Sequence, residues 1–107
     1  MDESRAGQVA VIFTAQRNGR DEAGYCAAAA AMETLAAAQP GYRGIVSARG
    51  SDGFGITVSY WTDDDAAKAW RDQPDHARTR EAGRLRWYDT YTVVVAQVGR
   101  DYDWSAS

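Results

Sequence analysis

The segment "AWRDQPDHARTREAGRLRWY" (69–88) concentrates the residues of this chain that could do chemistry. It holds the only histidine, His76, and two of the four tryptophans, Trp70 and Trp87. Histidine changes its charge near neutral pH, so it suits acid–base catalysis or metal ligation. A zinc site needs several protein ligands and no second histidine exists, whereas haem needs a single axial imidazole. The segment therefore indicates acid–base chemistry, haem ligation, or a surface histidine beside Asp75.

Helical spacing would align several of these side chains. If residues 74–88 are helical, then His76, Arg80, Gly83 and Trp87 lie at positions i, i+4, i+7 and i+11 along one face. A glycine inside a helix costs about 0.5–1 kcal/mol relative to alanine, so Gly83 has a spatial reason to be there. The bare backbone at Gly83 would admit either a flat ligand or a neighbouring side chain.

Aromatic residues are frequent on both sides of this segment. Trp61 precedes Trp70 by nine positions, and Tyr88 and Tyr91 follow Trp87. Such side chains normally supply buried area in a core. They also line apolar pockets for planar ligands, so both interpretations stay open.

Composition excludes several classes of protein. The chain has 107 residues and a net charge of −3, which argues against general nucleic-acid binding. It contains no apolar run of about 20 residues, and its start is polar and acidic, unlike a signal peptide. Cys26 is the only cysteine, which excludes an internal disulfide and favours a small buried helix residue. We expect a cytoplasmic protein that contacts neither nucleic acid nor membrane.

Hydrophobic patterning predicts the elements that position these residues. Strands are predicted at 8–17, on both sides of the glycine-rich turn "GSDG" (50–53) and at 91–102. One helix is predicted at 21–38. A second helical region is predicted to begin after an N-cap at Thr62 and to break near Pro74. The order β-α-β-β-α-β predicts a ferredoxin-like α+β fold with a four-stranded antiparallel sheet.

Two of the predicted strands are apolar on both faces. In residues 9–13 and 93–98, successive side chains are nearly all apolar. Two helices can cover only one face of a four-stranded sheet, and soluble monomers avoid large exposed apolar patches. The sequence therefore predicts a homodimer that packs sheet against sheet.

The motifs of the second half together resemble those of a known family. "YWTDDDAAKAW" (60–70), His76, "GR" (83–84), "WY" (87–88) and "VGRDY" (98–102) are similar to the antibiotic biosynthesis monooxygenase family, especially its small bacterial haem-degrading-type members. The resemblance covers residues 8–104. It implies a single domain over that range, with flexible termini at 1–7 and 105–107, and a dimeric α+β barrel.

The resemblance also implies an activity and a pocket between the helices and the sheet. Some members oxygenate polycyclic phenols or quinols without a cofactor, and others cleave haem oxidatively. Trp70 matches a tryptophan of the haem-degrading members, and Gln16 stands where they carry an asparagine on the first strand. Their histidine falls at Arg80, so His76 comes about one helical turn earlier.

These observations lead to one expected function and two alternatives. We expect a small monooxygenase that oxidises an aromatic or polycyclic phenol or quinol with molecular oxygen and requires no cofactor. Its expected catalytic residues are Trp70, His76 and Gln16, and its expected substrate-binding residues are Trp61, Arg80, Gly83 and Trp87. One alternative is a haem-binding or haem-degrading enzyme with His76 as the iron ligand. The other is a non-catalytic dimeric ligand-binding protein.

Overall fold

The computed structural model describes residues 4–106, which form four strands and three helices. The order is β1 (Val9–Arg17), α1 (Glu22–Ala37), β2 (Tyr42–Arg49), β3 (Phe54–Trp61), α2 (Asp64–Asp72), α3 (Pro74–Arg86) and β4 (Tyr88–Gln97). The strands form one antiparallel sheet in the order β2-β3-β1-β4. This confirms the predicted ferredoxin-like α+β fold.

The break in the second helical region lies where proline predicts it. α2 ends at Asp72, Gln73 is extended (φ −61°, ψ 128°), and Pro74 is the first residue of α3. Proline suits this position because the first turn of a helix leaves its backbone N–H groups unpaired. The N-cap of α2 is Asp63 rather than the predicted Thr62, because the Asp63 carboxylate accepts from the backbone N–H of Ala66 at 2.8 Å.

The last strand differs from its prediction at both ends. β4 begins three residues before the predicted position 91 and ends at Gln97, so residues 98–102 are not strand. The backbone of Val98 still pairs with that of Gln8, but the residues beyond it form no ladder. Glycine and charged residues from Gly99 onward provide little β propensity, which explains the early end.

Cys26 does not occupy the buried position predicted for it. The cysteine lies on the exposed side of α1. Met32, Leu35 and Ala36 form the inner side of this helix, and Ala36 is fully buried.

The hydrophobic core lies between the helices and one face of the sheet. Its buried members are Val9, Ala36, Trp61, Ala67 and Trp70. Val9 and Trp61 are directly paired across β1 and β3, so both point to the helices. This pairing brings the core tryptophans next to the first residues of β1.

None of the three helices found within residues 4–106 covers the opposite face of the sheet. We call this the open face; it is formed by Ile12, Val46, Phe54, Ile56, Val58 and Val94, which share one side by strand register. Val46 and Val94 are 58% and 49% exposed. On the helix side, Val93 and Val95 of β4 are also about half exposed. The prediction that the last strand is apolar on both faces is thus confirmed.

Two further features concern the limits of the chain. No helix within residues 4–106 is both long and apolar enough to cross a bilayer. Of the termini predicted to be flexible, residues 1–3 and 107 lie outside the described residues.

Candidate functional site

Three rings are stacked at the junction of α2 and α3. The imidazole of His76 lies parallel to the indole of Trp70, with 4.0 Å between ring centroids and 9° between planes. Trp61 stacks against Trp70 with centroids 5.8 Å apart and planes at 24°. We call Trp61, Trp70 and His76 the Trp70 cluster. Of the residues predicted to do chemistry, the structure brings these three together.

The hydrogen bonding of His76 fixes its tautomer. Nδ1 lies 2.8 Å from the carbonyl oxygen of Trp70. Because a carbonyl oxygen can only accept, Nδ1 must carry the proton. In the neutral ring, Nε2 then has a free lone pair, and it forms no hydrogen bond with any residue from 4 to 106. Nε2 can therefore accept a proton or bind an iron.

The surroundings of His76 favour the neutral form. Burial lowers the pKa of the imidazole below 6.5, and the nearby positive charge of Arg80 lowers it further. The hydrogen bond to the Trp70 carbonyl opposes this shift. The combined effect is a neutral base at neutral pH.

The helix break positions the histidine. The side-chain oxygen of Gln73 accepts from the backbone N–H of His76 at 2.9 Å, which caps α3. This cap holds the first turn of α3 in place. The first turn in turn places the imidazole of His76 against Trp70, which belongs to α2. Sequence reasoning missed Gln73, although a polar residue immediately before an N1 proline is typical of an N-cap.

Trp61 supports the cluster from inside the core. It is completely buried, and its Nε1 donates to the hydroxyl of Ser59 at 2.9 Å. Trp70 is 8% exposed and stacks with both Trp61 and His76. Little of the indole is therefore open to a ligand, and none of Trp61 is.

Arg80 lies near the cluster, as predicted, but its guanidinium is directed to the backbone. Its Nη1 donates to the carbonyl oxygen of Arg71 at 3.0 Å. That bond connects the second turn of α3 to the end of α2. Arg80 thus reinforces the angle between the helices and adds positive charge beside His76.

Trp87 and Gly83 belong to a different group of aromatic residues. Trp87 lies after the last residue of α3, packs edge-on against Tyr25 and donates from Nε1 to Asp21 at 3.3 Å. Gly83 faces the ring of Tyr88 instead of a ligand: a Cβ at this position would lie 2.6 Å from Tyr88 Cε2. The bare backbone thus admits a neighbouring side chain. We call Arg17, Tyr25, Trp87 and Tyr88 the Tyr25 cluster.

A buried arginine completes the Tyr25 cluster. The guanidinium of Arg17 lies 3.5 Å from the centre of the Tyr25 ring and forms an ion pair with Glu22. Its Nε is buried and has no acceptor within the described residues. Burial also raises the pKa of Tyr88 far above its ordinary value, so that residue stays protonated. No pattern in the sequence predicts the burial of Arg17, since a single arginine at a strand end is usually solvated.

The side chain of Gln16 does not join the Trp70 cluster. Its side chain donates to the carbonyl oxygens of Asp52 and Arg17, at 2.8 and 3.2 Å. Alternation along β1 places Gln16 on the opposite side of the strand from Val9, which faces Trp61. The structure therefore does not bring Gln16 to Trp70 or His76; it places Gln16 against the turn between β2 and β3.

Two concavities lie on either side of the N-terminus of α2. One, of about 330 Å³, is lined by Trp70, Ala66 and Ala69, with Asp63 and Asp65 at its rim. The other, of about 370 Å³, is lined by Val9 and Val95 and again by Asp63 and Asp64. Both volumes lie at the low end of the range for small-molecule sites. Trp70 is the one member of the Trp70 cluster that lines either concavity, and His76 lines neither.

The donor groups of the described residues fit a haem iron better than a metal ion held by several side chains. Among residues 4–106, no three His, Cys, Asp or Glu side chains lie close enough to hold a metal ion. Haem is different, because its porphyrin holds the iron and the protein supplies one axial donor. The free Nε2 of His76 has the chemistry of such a donor.

Comparison with known proteins identifies relatives of this chain. The family model described as antibiotic biosynthesis monooxygenase matches residues 9–82. The uncharacterized protein YqjZ of Bacillus subtilis (strain 168) is 47% identical over 91 residues, which are 85% of this chain and 79% of that protein.

Solved structures share the fold at lower identity. SnoaB, a cofactor-independent oxygenase from Streptomyces nogalater, is 22% identical and superimposes with a TM-score of 0.74 over 87% of this chain and 94% of its own. Rv0793 from Mycobacterium tuberculosis is 19% identical with a TM-score of 0.74, over 92% and 99% of the two chains. Because the family model matches more than half of its residues, the chain belongs to the antibiotic biosynthesis monooxygenase family.

Proposed function

We propose that this protein is a small monooxygenase that oxidises a polycyclic phenol or quinol with molecular oxygen and needs no cofactor. The observation that carries the proposal is the neutral imidazole of His76, whose Nε2 lone pair is free. Family membership and the fold shared with a cofactor-independent oxygenase support the same reaction class.

In the proposed mechanism, His76 is the base that starts the reaction. Nε2 takes the phenolic proton, and the phenolate passes one electron to O₂, giving a phenoxyl radical and superoxide. These two combine at a ring carbon that carries hydrogen, the peroxide anion takes the proton back from Nε2, and loss of water from the resulting hydroperoxide leaves a carbonyl. The sum is phenol plus O₂ giving quinone plus water. General-base help of this kind is worth about 10²–10⁴-fold in rate.

Trp70 and Arg80 position the base in this mechanism. The indole of Trp70 holds the imidazole by stacking and by its backbone carbonyl. Arg80 holds the angle between α2 and α3, and its positive charge adds to the effect of burial in lowering the pKa of His76. The half-exposed side chains of Val93 and Val95 supply apolar surface for the rings of the substrate.

An isotope experiment tests the proposal. The purified protein is incubated with 1,5-dihydroxynaphthalene under ¹⁸O₂, and the hydroxynaphthoquinone product is analysed by mass spectrometry. We expect protein-dependent product that contains one ¹⁸O atom, because a monooxygenase inserts one atom of O₂ and reduces the other to water. We expect His76→Gln to lose about 10²-fold or more of this rate.

Arg78→Gln is the matched control for the histidine variant. Arg78 lies on the same helix, its side chain is 71% exposed, and it forms an exposed ion pair with Asp75, so its loss has little effect on stability. Product formation equal to the protein-free rate would overturn the proposal for this substrate class. Full activity in His76→Gln would overturn the role of His76 as the base.

We further propose that the protein acts as a homodimer in the cytoplasm. The dimer is supported by the open face, where Val46, Phe54, Ile56 and Val94 are 43–58% exposed. If the open faces of two copies pack together, symmetry buries these four residues in both protomers. Sedimentation as a monomer at micromolar concentration would contradict the dimer.

Haem binding is the second candidate, and one observation favours it. A histidine that donates from Nδ1 to a backbone carbonyl presents Nε2 in the form that an axial ligand requires. Haemin titration followed by Soret absorption tests this alternative. A saturable shift at one haem per subunit that is lost in His76→Gln would favour haem over a phenol.

A further inference from the structure

Arg84 of α3 and Tyr91 of β4 are bound to each other, and each has a further hydrogen-bond donor to offer. The Nε of Arg84 donates to the hydroxyl oxygen of Tyr91 at 2.6 Å. Among residues 4–106, no group accepts the proton of that hydroxyl, Nη2 of Arg84 forms no hydrogen bond, and Nη1 reaches Glu81 only at 3.4 Å. The side chain of Arg84 is 53% exposed, so a ligand can reach these donors.

The two unused donors lie side by side. Nε–H and Nη2–H project from the same edge of a guanidinium, which is how Arg71 holds both carboxylate oxygens of Asp72, at 2.9 and 3.1 Å. In Arg84 the hydroxyl oxygen of Tyr91 takes the place of one of these oxygens. An anionic oxygen beside it can therefore accept from Nη2 and from the Tyr91 O–H together. Such charge-assisted hydrogen bonds are about twice as strong as those between neutral groups.

Next to this pair, β4 presents an apolar strip with opposite charges at its two ends. Val93 and Val95 follow Tyr91 on the helix side of the strand and are 49% and 54% exposed. Asp63 and Asp64 line the concavity that Val95 borders. The guanidinium therefore lies at one end of the strip and carboxylates lie at the other. An elongated apolar ligand with one anionic end is favoured here in a single orientation.

The helix that carries Arg84 also carries the proposed base. Arg84 follows His76 by eight residues, which corresponds to about 12 Å along a helix axis at roughly 1.5 Å per residue. One aromatic ring is too short to approach both side chains, whereas several linearly fused rings are long enough. The separation therefore suits a molecule whose reacting hydroxyl and acidic group lie at opposite ends.

We propose that Arg84 and Tyr91 determine substrate specificity by binding an anionic oxygen at the end of a polycyclic phenol that is remote from His76. This inference rests on the proposed function and describes its substrate more closely: three or more linearly fused rings with a carboxylate or an ionised hydroxyl on the last ring. Arg84 and Tyr91 take no part in proton transfer at Nε2 of His76. They bind the acidic end, so that the phenolic end is directed to the base.

Binding of two matched ligands tests the proposal without turnover. 6-Hydroxyanthraquinone-2-carboxylate carries its hydroxyl and its carboxylate on opposite end rings, and 2-hydroxyanthraquinone lacks the carboxylate. Equilibrium dialysis under argon measures both dissociation constants, since without oxygen neither ligand is consumed. We expect the natural protein to bind the carboxylate ligand at least about tenfold more tightly, as hydrogen bonds to charged groups typically provide.

Two variants remove the donors one at a time. We expect Arg84→Gln to bind both ligands with affinities equal within about twofold and to keep the affinity for 2-hydroxyanthraquinone. Tyr91→Phe keeps the ring that packs on Phe13 but loses the hydroxyl, so the preference should fall several-fold. Arg78→Gln is the control, because it removes the same charge from an exposed position of α3. It should keep the full preference.

The outcomes separate this proposal from the proposed function. Equal affinities for the two ligands, binding of neither, or a preference that survives Arg84→Gln would overturn the role of Arg84 and Tyr91. A preference that Arg78→Gln lowers as much as Arg84→Gln would overturn it too, because long-range charge would then explain the effect. The ¹⁸O₂ experiment uses a two-ring phenol without a carboxylate, so it does not depend on Arg84. Oxidation of that phenol without any ligand preference would leave the oxygenase intact, and a preference without oxidation would leave only the binding site.

Discussion

The imidazole of His76 is stacked on the indole of Trp70 and hydrogen-bonded to the carbonyl oxygen of the same residue. One residue of α2 thus determines both the plane and the tautomer of the histidine on α3. The stack fixes the ring against rotation, and the carbonyl fixes the proton on Nδ1. A base that is held in this way differs from a surface histidine in its response to pH, and two predictions follow from that difference.

The first concerns activity. Because burial and Arg80 lower the pKa of His76, the base stays unprotonated below pH 6.5. We expect kcat/KM for the phenol to be constant at neutral pH and to decline only on further acidification, with the midpoint below 6.5. The decline should be absent from the residual activity of His76→Gln. A midpoint above 6.5 would contradict the burial of a neutral base.

The second concerns stability. The unfolded chain binds a proton at His76 near pH 6.5, whereas the folded chain binds it only at lower pH. Protonation of the unfolded state therefore begins first as the pH falls, and it lowers the free energy of unfolding. The stabilising effect is complete above pH 6.5 and is lost between that value and the lower pKa of the folded state.

Urea unfolding at pH 7.5 and at pH 5.5 measures this effect. We expect the natural protein to lose more stability between the two values than His76→Gln does. Carboxylate titration is common to both proteins and cancels in the comparison. Equal losses would mean that the imidazole is as well solvated in the folded protein as in the unfolded chain.

The sequence predicted the fold well because local patterns determine it. The β-branched runs, the turn "GSDG" and Pro74 predict the ends of most helices and strands to within one or two residues. β4 is the exception, because pairing with β1 extends it back to Tyr88 across an irregularity at Gln16 and Arg17. Such long-range pairing leaves no local signal in the sequence.

The candidate site was only partly predictable. Helical spacing correctly relates His76 to Arg80, but α3 ends at Arg86, so Trp87 leaves the helix and joins Tyr25. Spacing could not show that Gly83 makes room for a tyrosine, because Tyr88 reaches it from the following strand. The contact between His76 and Trp70 depends on the angle at Gln73, which only the packed structure reveals.

The third prediction concerns Gln16, which the family resemblance placed among the catalytic residues. Its side chain is bonded to the turn between β2 and β3 at Asp52. We expect Gln16→Ala to keep the rate of phenol oxidation within about twofold and to lower stability by about 1 kcal/mol through the lost hydrogen bond. Steady-state kinetics and urea unfolding of the same preparation check both parts. A rate loss of 10²-fold with unchanged stability would restore Gln16 to the catalytic group.

The fourth prediction concerns Gly83, where two effects of a methyl group oppose each other. Alanine is the better helix former by about 1 kcal/mol, so an open site would gain stability from the substitution. At Gly83, however, the new Cβ would lie 2.6 and 2.9 Å from ring carbons of Tyr88. That ring cannot retreat easily, because Phe13 and Tyr25 pack against it edge-on.

We therefore expect Gly83→Ala to destabilise the protein by about 1–3 kcal/mol, as overpacking of a filled core usually does. Gly99→Ala is the control, since a Cβ there would meet no atom within 4 Å. It should leave the free energy of unfolding unchanged within about 0.5 kcal/mol. Increased stability in Gly83→Ala would show that Tyr88 does not fill the space over the helix. That result would return Gly83 to its alternative role, a bare patch that a flat ligand can approach.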